Sequence, residues 1–192
     1  MKEYNFYALA ARMKYINRWG LMRNTEGENL MEHSFLTATI AHALAEISNN
    51  YFGNTLDSDK IATKALFHDV SEIFTGDMPT PVKYLNRQLT DDYKQVERLA
   101  NQKLVSQLPQ KLRPTYTEIF DETTPEHVFV KYADKISAYL KCIKEIAYGN
   151  NEFKNAKESI LSQLKEYNSN EVNFFLDNFV DAFLLTLDEL QL

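Results

Sequence analysis

Residues that interrupt helices are scarce in this sequence, which contains only five glycines and five prolines among 192 residues. Between them, apolar residues recur at the spacing of amphipathic helices, while strand-like alternation and Asn-Gly turns are almost absent. The sequence therefore predicts an all-α protein, with a non-helical break at Pro79–Pro81. The predicted helices are Phe6–Ile16, Met31–Ile47, Asp57 or Ser58 to near Gly76, about Tyr84–Leu108, about Pro125–Tyr148, about Glu152–Tyr167 and about Glu171–Leu190.

The chain has the length of one domain, and no linker or repeat divides it, so we expect a single compact domain over residues 1–192. A net charge of −6 argues against a nucleic-acid polymer as partner but does not exclude a small anionic substrate. Cys142 is the only cysteine, and the sequence shows neither a signal peptide nor an apolar run long enough to cross a membrane. We therefore expect a cytoplasmic protein without a membrane partner.

The adjacent residues His68 and Asp69 lie in an otherwise apolar stretch that is predicted to be helical. A divalent metal ion would satisfy both side chains, and a mixed nitrogen and oxygen donor set favours a first-row transition metal over calcium. On a helix, Glu72 returns to the same face as this pair. Glu72 is then placed to act as a general acid or base on a water molecule beside the ion.

Other residues have both a functional and a simpler interpretation. His33 and Asp134 could complete the metal site, although their spacing alone does not show that they do. A lone histidine is more often a hydrogen-bonded core residue. Trp19 could be a core or interface anchor, and Asp77 could be a turn residue. Arg18 could be a surface charge or a salt-bridge partner for Glu26 or Glu28.

The pattern His33…His68-Asp69…Asp134 resembles that of the HD-domain superfamily of metal-dependent phosphohydrolases. The neighbouring segments narrow this resemblance to the bacterial 5′-deoxynucleotidase family, and it extends from Phe6 to about Glu189. These segments are Ile16–Trp19, Leu21–Asn24, Glu28–Asn29, Glu32–Ser34, Thr75–Lys83, Tyr139–Cys142 and Gly149–Phe153.

The resemblance implies a compact HD-type helical bundle that forms a homodimer and hydrolyses deoxyribonucleoside 5′-monophosphates to the deoxynucleoside and phosphate. It implies one divalent ion, such as Co or Mn, held by His33, His68, Asp69 and Asp134. Glu72 would then manage protons around the attacking water, and Arg18 would contact the phosphate in catalysis.

The resemblance also assigns the contacts to the substrate. Trp19 and the segment from Asp77 to Thr80 would hold the sugar. The bulky Trp19 could exclude the 2′-hydroxyl of a ribonucleotide, and Asp77 could accept a hydrogen bond from the 3′-hydroxyl. Gly20 departs from the family pattern, where proline is common, and glycine loosens the backbone beside Trp19. The implied substrate-binding residues are Arg18, Trp19, His33, Asp69, Asp77, Met78, Pro79, Thr80 and Asp134.

Three alternatives are weighed against this interpretation. An HD-type deoxynucleoside triphosphate triphosphohydrolase would need more basic residues for three phosphates, and no additional Lys/Arg cluster lies near the motifs. A cyclic-dinucleotide phosphodiesterase would need further histidines and a Gly-Tyr-Pro signature, which the sequence lacks. A non-catalytic metal- or nucleotide-sensing module would not require a carboxylate such as Glu72 beside the ion.

Overall fold

The computed structural model describes residues 4–83 and 85–191. Within this range the chain forms α-helices, short 3-10 helices and one isolated antiparallel bridge, between Asn17 and Asn29, but no β-strand. The α-helices are α1 (Phe6–Ala10), α2 (Leu30–Phe52), α3 (Ser58–Leu66), α4 (Glu72–Thr75), α5 (Thr80–Lys83), α6 (Arg87–Ser106), α7 (Arg113–Ile119), α8 (His127–Ala147), α9 (Lys154–Glu166) and α10 (Asn170–Phe179). The predicted all-α class is confirmed, and none of these helices is long and apolar enough to span a membrane.

Several predicted helix boundaries were wrong. The first predicted helix ends at Ala10 and continues as a 3-10 helix, and the last ends at Phe179 instead of near Leu190. Tyr84, the predicted start of a long helix, lies outside the described residues. In the structure α6 begins after Asn86, whose side chain accepts a hydrogen bond from the Leu89 N–H.

The Pro79–Pro81 segment was predicted to be non-helical, but α5 begins at Thr80. The prolines permit this because Pro81 occupies the first turn of the helix, where a backbone N–H has no partner within the helix. The carbonyl oxygen of Pro79 accepts hydrogen bonds from the N–H groups of Val82 and Lys83.

The helix predicted to carry His68 and Asp69 stops before it reaches them. Asp57 caps α3 as expected, since its side chain accepts a hydrogen bond from the Lys60 N–H at 2.9 Å, but α3 ends at Leu66. Residues 67–71 form tight turns in which N–H groups bond to carbonyls three residues earlier. In such turns residues three apart lie above one another, so Glu72 still follows Asp69 on one side of the chain.

The described residues divide into two compact units. The first contains the described residues up to Arg23 together with Gly27–Phe35 and Leu66–Thr124. Its apolar core consists of Phe6, Met13, Leu30, Val70, Leu104 and Leu108. Because Val70 is fully buried in this core and Phe67 packs against it, the turns at residues 67–71 are held in place by apolar packing.

The second unit contains Asn24–Glu26, Leu36–Ala65 and the described residues from Pro125 onward. In this unit α8 packs against α9 and the short 3-10 helix at Asn151–Phe153. Buried residues of this packing include Ala133, Ile136, Leu140, Phe153 and Leu164. The expectation that residues 1–192 form a single domain stays a prediction.

A buried ion pair lies on α8, where Lys141 donates a hydrogen bond to Glu145. Glu145 also accepts hydrogen bonds from the backbone N–H groups of Thr25, at 2.9 Å, and Glu26, at 3.2 Å. The amide of Asn150 donates another at 2.8 Å. Burial raises the pKa of the Glu145 carboxyl, but these donors outweigh it and lower the pKa to about 2.

Candidate active site

The carboxylate of Asp69 is the centre of the candidate site in the first unit. Its Oδ2 atom lies 3.1 Å from His68 Nε2, 3.6 Å from His33 Nε2 and 3.2 Å from Arg18 Nη1. Burial raises the pKa of Asp69, but His68, His33 and Arg18 outweigh burial and lower the pKa to about 2. Asp69 is therefore a carboxylate at neutral pH.

Two imidazoles flank this carboxylate. His33 lies in the first turn of α2 and is fully buried, whereas His68 comes from the turn that precedes α4. Their ring centroids are 5.2 Å apart, and one nitrogen of each lies within 4.8 Å of the other. The structure thus brings His33, His68 and Asp69 together, as an N/O donor set of the kind that binds first-row divalent metals.

Asp134, the fourth predicted metal ligand, belongs to the second unit. It lies on α8, about two turns after this helix begins at His127. Its side chain is half-buried. The assignment of Asp134 as a metal and substrate ligand stays a prediction from the family resemblance.

Glu72 is the first residue of α4 and lies beside this cluster. Its side chain is almost completely buried, and its Oε2 atom has no hydrogen-bond partner among the described residues. Burial raises the pKa of Glu72, and the negative charges of Asp69 and Asp77 raise it further. Arg18 and Lys83 lower it, and the resulting pKa is about 10. A buried carboxyl without a hydrogen-bond partner is costly, and such groups concentrate at functional sites.

Arg18 and Trp19 are both held by Glu28. The Oε2 atom of Glu28 accepts hydrogen bonds from Arg18 Nε at 3.2 Å and from Trp19 Nε1 at 3.0 Å. Arg18 thus forms the ion pair that was one interpretation of its sequence context, and through Nη1 it also donates to Asp69. Glu28 was not among the predicted site residues, and it was predicted only as one possible salt-bridge partner of Arg18. The hydrogen bond that it accepts from Trp19 was not predicted.

The backbone of Trp19 has a left-handed conformation, with φ of 59°. This is uncommon for a bulky residue and costs about 1–3 kcal/mol, so it persists only where the surroundings enforce it. The Trp19 N–H donates to Asp77 Oδ2 at 3.2 Å, so Asp77 supports this conformation. Burial raises the pKa of Asp77, against the lowering effect of Arg18. The positive φ is at Trp19 and not at Gly20. The bond from the Trp19 N–H to Asp77 restrains the backbone beside Gly20, where glycine was expected to loosen it.

The remaining predicted substrate contacts follow Asp77 along the chain. Met78 and Pro79 are half-buried, and Thr80 is exposed at the start of α5. Gly76 precedes them with a φ of 72°, a left-handed conformation that glycine adopts readily. Because Asp77 is bonded to Trp19, this segment begins beside Trp19, whereas its role in holding the sugar stays a prediction.

An all-α fold in which two histidines and an aspartate meet beside a buried glutamate is that of an HD-type phosphohydrolase. The chain belongs to the YfbR-like 5′-deoxynucleotidase family, which it matches over residues 5–183. The 5′-deoxynucleotidase YfbR of Escherichia coli strain K12 / DH10B is 47% identical to it, over 99% of this chain and 97% of that protein.

Solved structures have the same fold. An HD-domain phosphohydrolase from Listeria innocua is 25% identical, with a TM-score of 0.82 over 97% of this chain and 92% of its own. The cyanophage S-2L HD phosphohydrolase DatZ, bound to dA and one catalytic Zn²⁺ ion, is 20% identical, with a TM-score of 0.69 over 91% of this chain and 96% of its own. At that identity DatZ shows the fold alone. The family and the HD-type fold predicted from the sequence are confirmed.

Proposed function

We propose that this protein is a metal-dependent 5′-deoxynucleotidase, which hydrolyses deoxyribonucleoside 5′-monophosphates to the deoxynucleoside and phosphate. The observation that carries this proposal is the convergence of His33, His68 and Arg18 on one oxygen atom of Asp69, beside buried Glu72. Nearly half of the residues are identical to those of a protein named for this activity, across almost the whole chain.

The donor set fits a metal ion. Two imidazoles and a carboxylate face one small space, and we assign His33, His68 and Asp69 as ligands of one divalent ion such as Mn or Co. Asp134 is assigned as a further ligand from the family resemblance. The chemistry that such an ion supplies when bound is positive charge beside the phosphate and a lowered pKa for water.

Arg18 is assigned to the phosphate. A phosphate monoester is doubly anionic near neutral pH and repels a nucleophile, so a fixed guanidinium lowers the barrier by offsetting charge in the transition state. Arg18 is only slightly exposed, and Glu28 and Asp69 fix its orientation through Nε and Nη1. A guanidinium held in this way costs little reorganisation when the phosphate arrives.

Glu72 is assigned to proton transfer. During hydrolysis the oxygen of water bonds to phosphorus and gives up one proton, while the bond between phosphorus and the 5′-oxygen breaks and the 5′-oxygen takes up one proton. The Oε2 atom of Glu72 is available for this transfer because it has no hydrogen-bond partner among the described residues. The raised pKa of Glu72 allows its carboxyl to hold a proton near neutral pH and release it as the local charge changes.

Selectivity against ribonucleotides is assigned to Trp19 and to the segment from Asp77 to Thr80. The Trp19 ring is held through its indole N–H and its backbone through Asp77, so the ring can exclude a 2′-hydroxyl without moving aside. We further propose that the protein forms a homodimer, as the family resemblance implies. A cytoplasmic location is consistent with its single, buried cysteine.

One assay tests the activity. Purified protein is supplied with Mn²⁺, Co²⁺ or Zn²⁺ and offered paired deoxyribo- and ribonucleoside 5′-monophosphates, with His68→Ala as the variant expected to lose the metal. Release of phosphate from the deoxyribonucleotides alone supports the proposal. Release of triphosphate from deoxynucleoside triphosphates instead would identify a triphosphohydrolase, and metal binding without turnover would identify a sensing module.

A further inference from the structure

One oxygen atom of Glu28 connects two consecutive side chains that the proposed function assigns to different parts of the substrate. Glu28 Oε2 accepts from Arg18 Nε at 3.2 Å and from Trp19 Nε1 at 3.0 Å. The side chains of Glu28 and Arg18 are only 13% and 12% exposed. In such largely buried surroundings a charge-assisted hydrogen bond is stronger, and its geometry is more restricted, than one at the surface.

The backbone fixes where the Glu28 carboxylate lies. The Arg18 N–H donates to the Glu28 carbonyl oxygen at 2.9 Å, and the Leu30 N–H donates to the Ile16 carbonyl oxygen at 2.9 Å. The bridge between Asn17 and Asn29 lies between these two bonds. The segments 16–18 and 28–30 are therefore bound side by side, and the side chain of Glu28 starts from a defined position.

Each partner of Glu28 is held a second time. Arg18 donates through Nη1 to Asp69 at 3.2 Å, so two carboxylates set the plane of its guanidinium. Trp19 donates its backbone N–H to Asp77 Oδ2, while its indole N–H donates to Glu28. These two bonds hold Trp19 at its backbone, which has a positive φ, and at the edge of its ring.

We propose that Glu28 is a positioning residue that couples phosphate binding to selection of the sugar, by holding Arg18 and Trp19 in a fixed relation to each other. The proposal rests on the proposed function. It differs from a purely structural role because it predicts that one substitution changes both turnover and the preference for deoxyribose. A residue that only stabilised the fold would lower the amount of folded protein and leave that preference unchanged.

The chain offers a direct spectroscopic report on Glu28. Trp19 is the only tryptophan, so intrinsic tryptophan fluorescence comes from Trp19 alone. Its emission maximum and its quenching by acrylamide measure how firmly the ring is held, whether or not the protein is active. Glu26 provides a matched control because it is an exposed glutamate two residues earlier, and its hydrogen bonds to Glu145 and Lys141 are made through its backbone.

The experiment compares Glu28→Ala, Glu28→Gln and Glu26→Ala with the wild type, in the presence of Mn²⁺, on paired dAMP and AMP. Glu28→Ala should lower kcat/KM for dAMP by about tenfold to a hundredfold, because misplaced binding groups cost about this much. It should also lower the dAMP/AMP preference and increase acrylamide quenching of Trp19. Glu28→Gln keeps a neutral acceptor and should fall between Glu28→Ala and the wild type, while Glu26→Ala should match the wild type.

A double substitution separates the two bonds. In a Trp19→Phe background, which lacks the indole N–H, Glu28→Ala should still lower turnover through Arg18 but should no longer change the dAMP/AMP preference. Wild-type quenching and wild-type preference in a folded Glu28→Ala protein would overturn the proposal. If Glu28→Ala does not fold, Glu28→Gln decides by the same two readouts.

Failure of the proposed function would be recognised separately. A wild-type protein that hydrolyses no deoxynucleotide refutes the activity, and the link to sugar selection falls with it. Acrylamide quenching of Trp19 in Glu28→Ala and Glu28→Gln would still decide whether Glu28 positions the ring.

Discussion

Two buried glutamates, one in each unit, have opposite acid–base properties. Glu72 is 6% exposed and Glu145 is 1% exposed, so burial alone would raise the pKa of both. The pKa of Glu72 is raised to about 10, because Asp69 and Asp77 add negative charge to the effect of burial. The pKa of Glu145 is lowered to about 2, because hydrogen-bond donors, Lys141 first among them, outweigh burial.

The difference separates the glutamate proposed for proton transfer from one that is part of a fully bonded ion-pair network. Glu145 receives hydrogen bonds from a lysine, an amide and two backbone N–H groups, so its charge is fully compensated and it fixes the Asn24–Glu26 segment. Glu72 keeps one oxygen without a hydrogen-bond partner among the described residues, beside acidic neighbours. A buried carboxyl with an oxygen that lacks a hydrogen-bond partner can take up and release a proton. A carboxylate whose oxygens all accept hydrogen bonds contributes to stability instead.

The largest effect is expected from Glu72→Gln. This substitution keeps the shape of the side chain but replaces the titratable carboxyl with an amide that cannot act as an acid or base, so kcat for dAMP should fall by about 10²–10⁴-fold. Metal content and thermal stability should stay near wild type, because no charge is left buried. The measurements are phosphate release and metal analysis of the same preparation. Loss of metal together with activity would show that Glu72 is a ligand and not a proton-transfer residue.

Glu145→Gln should lower the stability of the protein and leave catalysis nearly unchanged. Removing one partner of a buried ion pair leaves Lys141 uncompensated and typically costs about 3–5 kcal/mol. Urea unfolding measures this loss, while kcat of the protein that remains folded should stay near wild type. The double variant Lys141→Met/Glu145→Leu should recover only part of the stability, because it removes both charges but also the acceptor for Thr25, Glu26 and Asn150. A loss below about 1 kcal/mol in Glu145→Gln would contradict the structural role.

Acid should destabilise the protein partly through Glu145. Because the pKa of Glu145 is lowered from 4.5 to about 2 on folding, its contribution is fully present above pH 4.5 and is lost as pH falls toward 2. This contribution is about 3 kcal/mol. Urea unfolding of the wild type and Glu145→Gln between these pH values should show a smaller loss in the variant. Glu72→Gln is the matched control and should retain the wild-type loss.

The smallest effect is expected from adding metal. An ion that binds the folded protein alone stabilises it by about 2.7 kcal/mol when its concentration is 100 times the dissociation constant. Adding Mn²⁺ should therefore raise the melting temperature of the wild type and of Glu145→Gln, but not of His68→Ala. A metal-dependent rise in His68→Ala equal to that of the wild type would remove His68 from the proposed ligands.

The helical class and the grouping of His68, Asp69 and Glu72 were predictable, because apolar spacing and residue type are local features of the sequence. The other residues of the candidate site were assigned from the family resemblance. The prediction failed where tertiary packing overrides local pattern. The helix expected through His68 and Asp69 ends at Leu66, since the burial of Phe67 and Val70 favours successive turns.

The Glu28 bond to Trp19 and the Glu145 network were missed for a related reason. Glu28 bonds to side chains nine and ten residues earlier, outside any helix, so periodicity gives no sign of the contact. Lys141 and Glu145 have the ordinary spacing of a surface pair on a helix. Only the fold shows that they are buried and that Thr25, 120 residues earlier, donates to Glu145.

The sequence by itself determined that this protein is all-α, that it belongs to a phosphohydrolase family, and which residue types its chemistry uses. Only the tertiary structure decided that the pKa of Glu72 is raised and that of Glu145 lowered, and that Glu28 joins Arg18 to Trp19. The physical reason is that the pKa and orientation of a carboxyl depend on the charges and donors within a few ångströms. Folding brings those groups together from distant positions, so no local pattern can specify them.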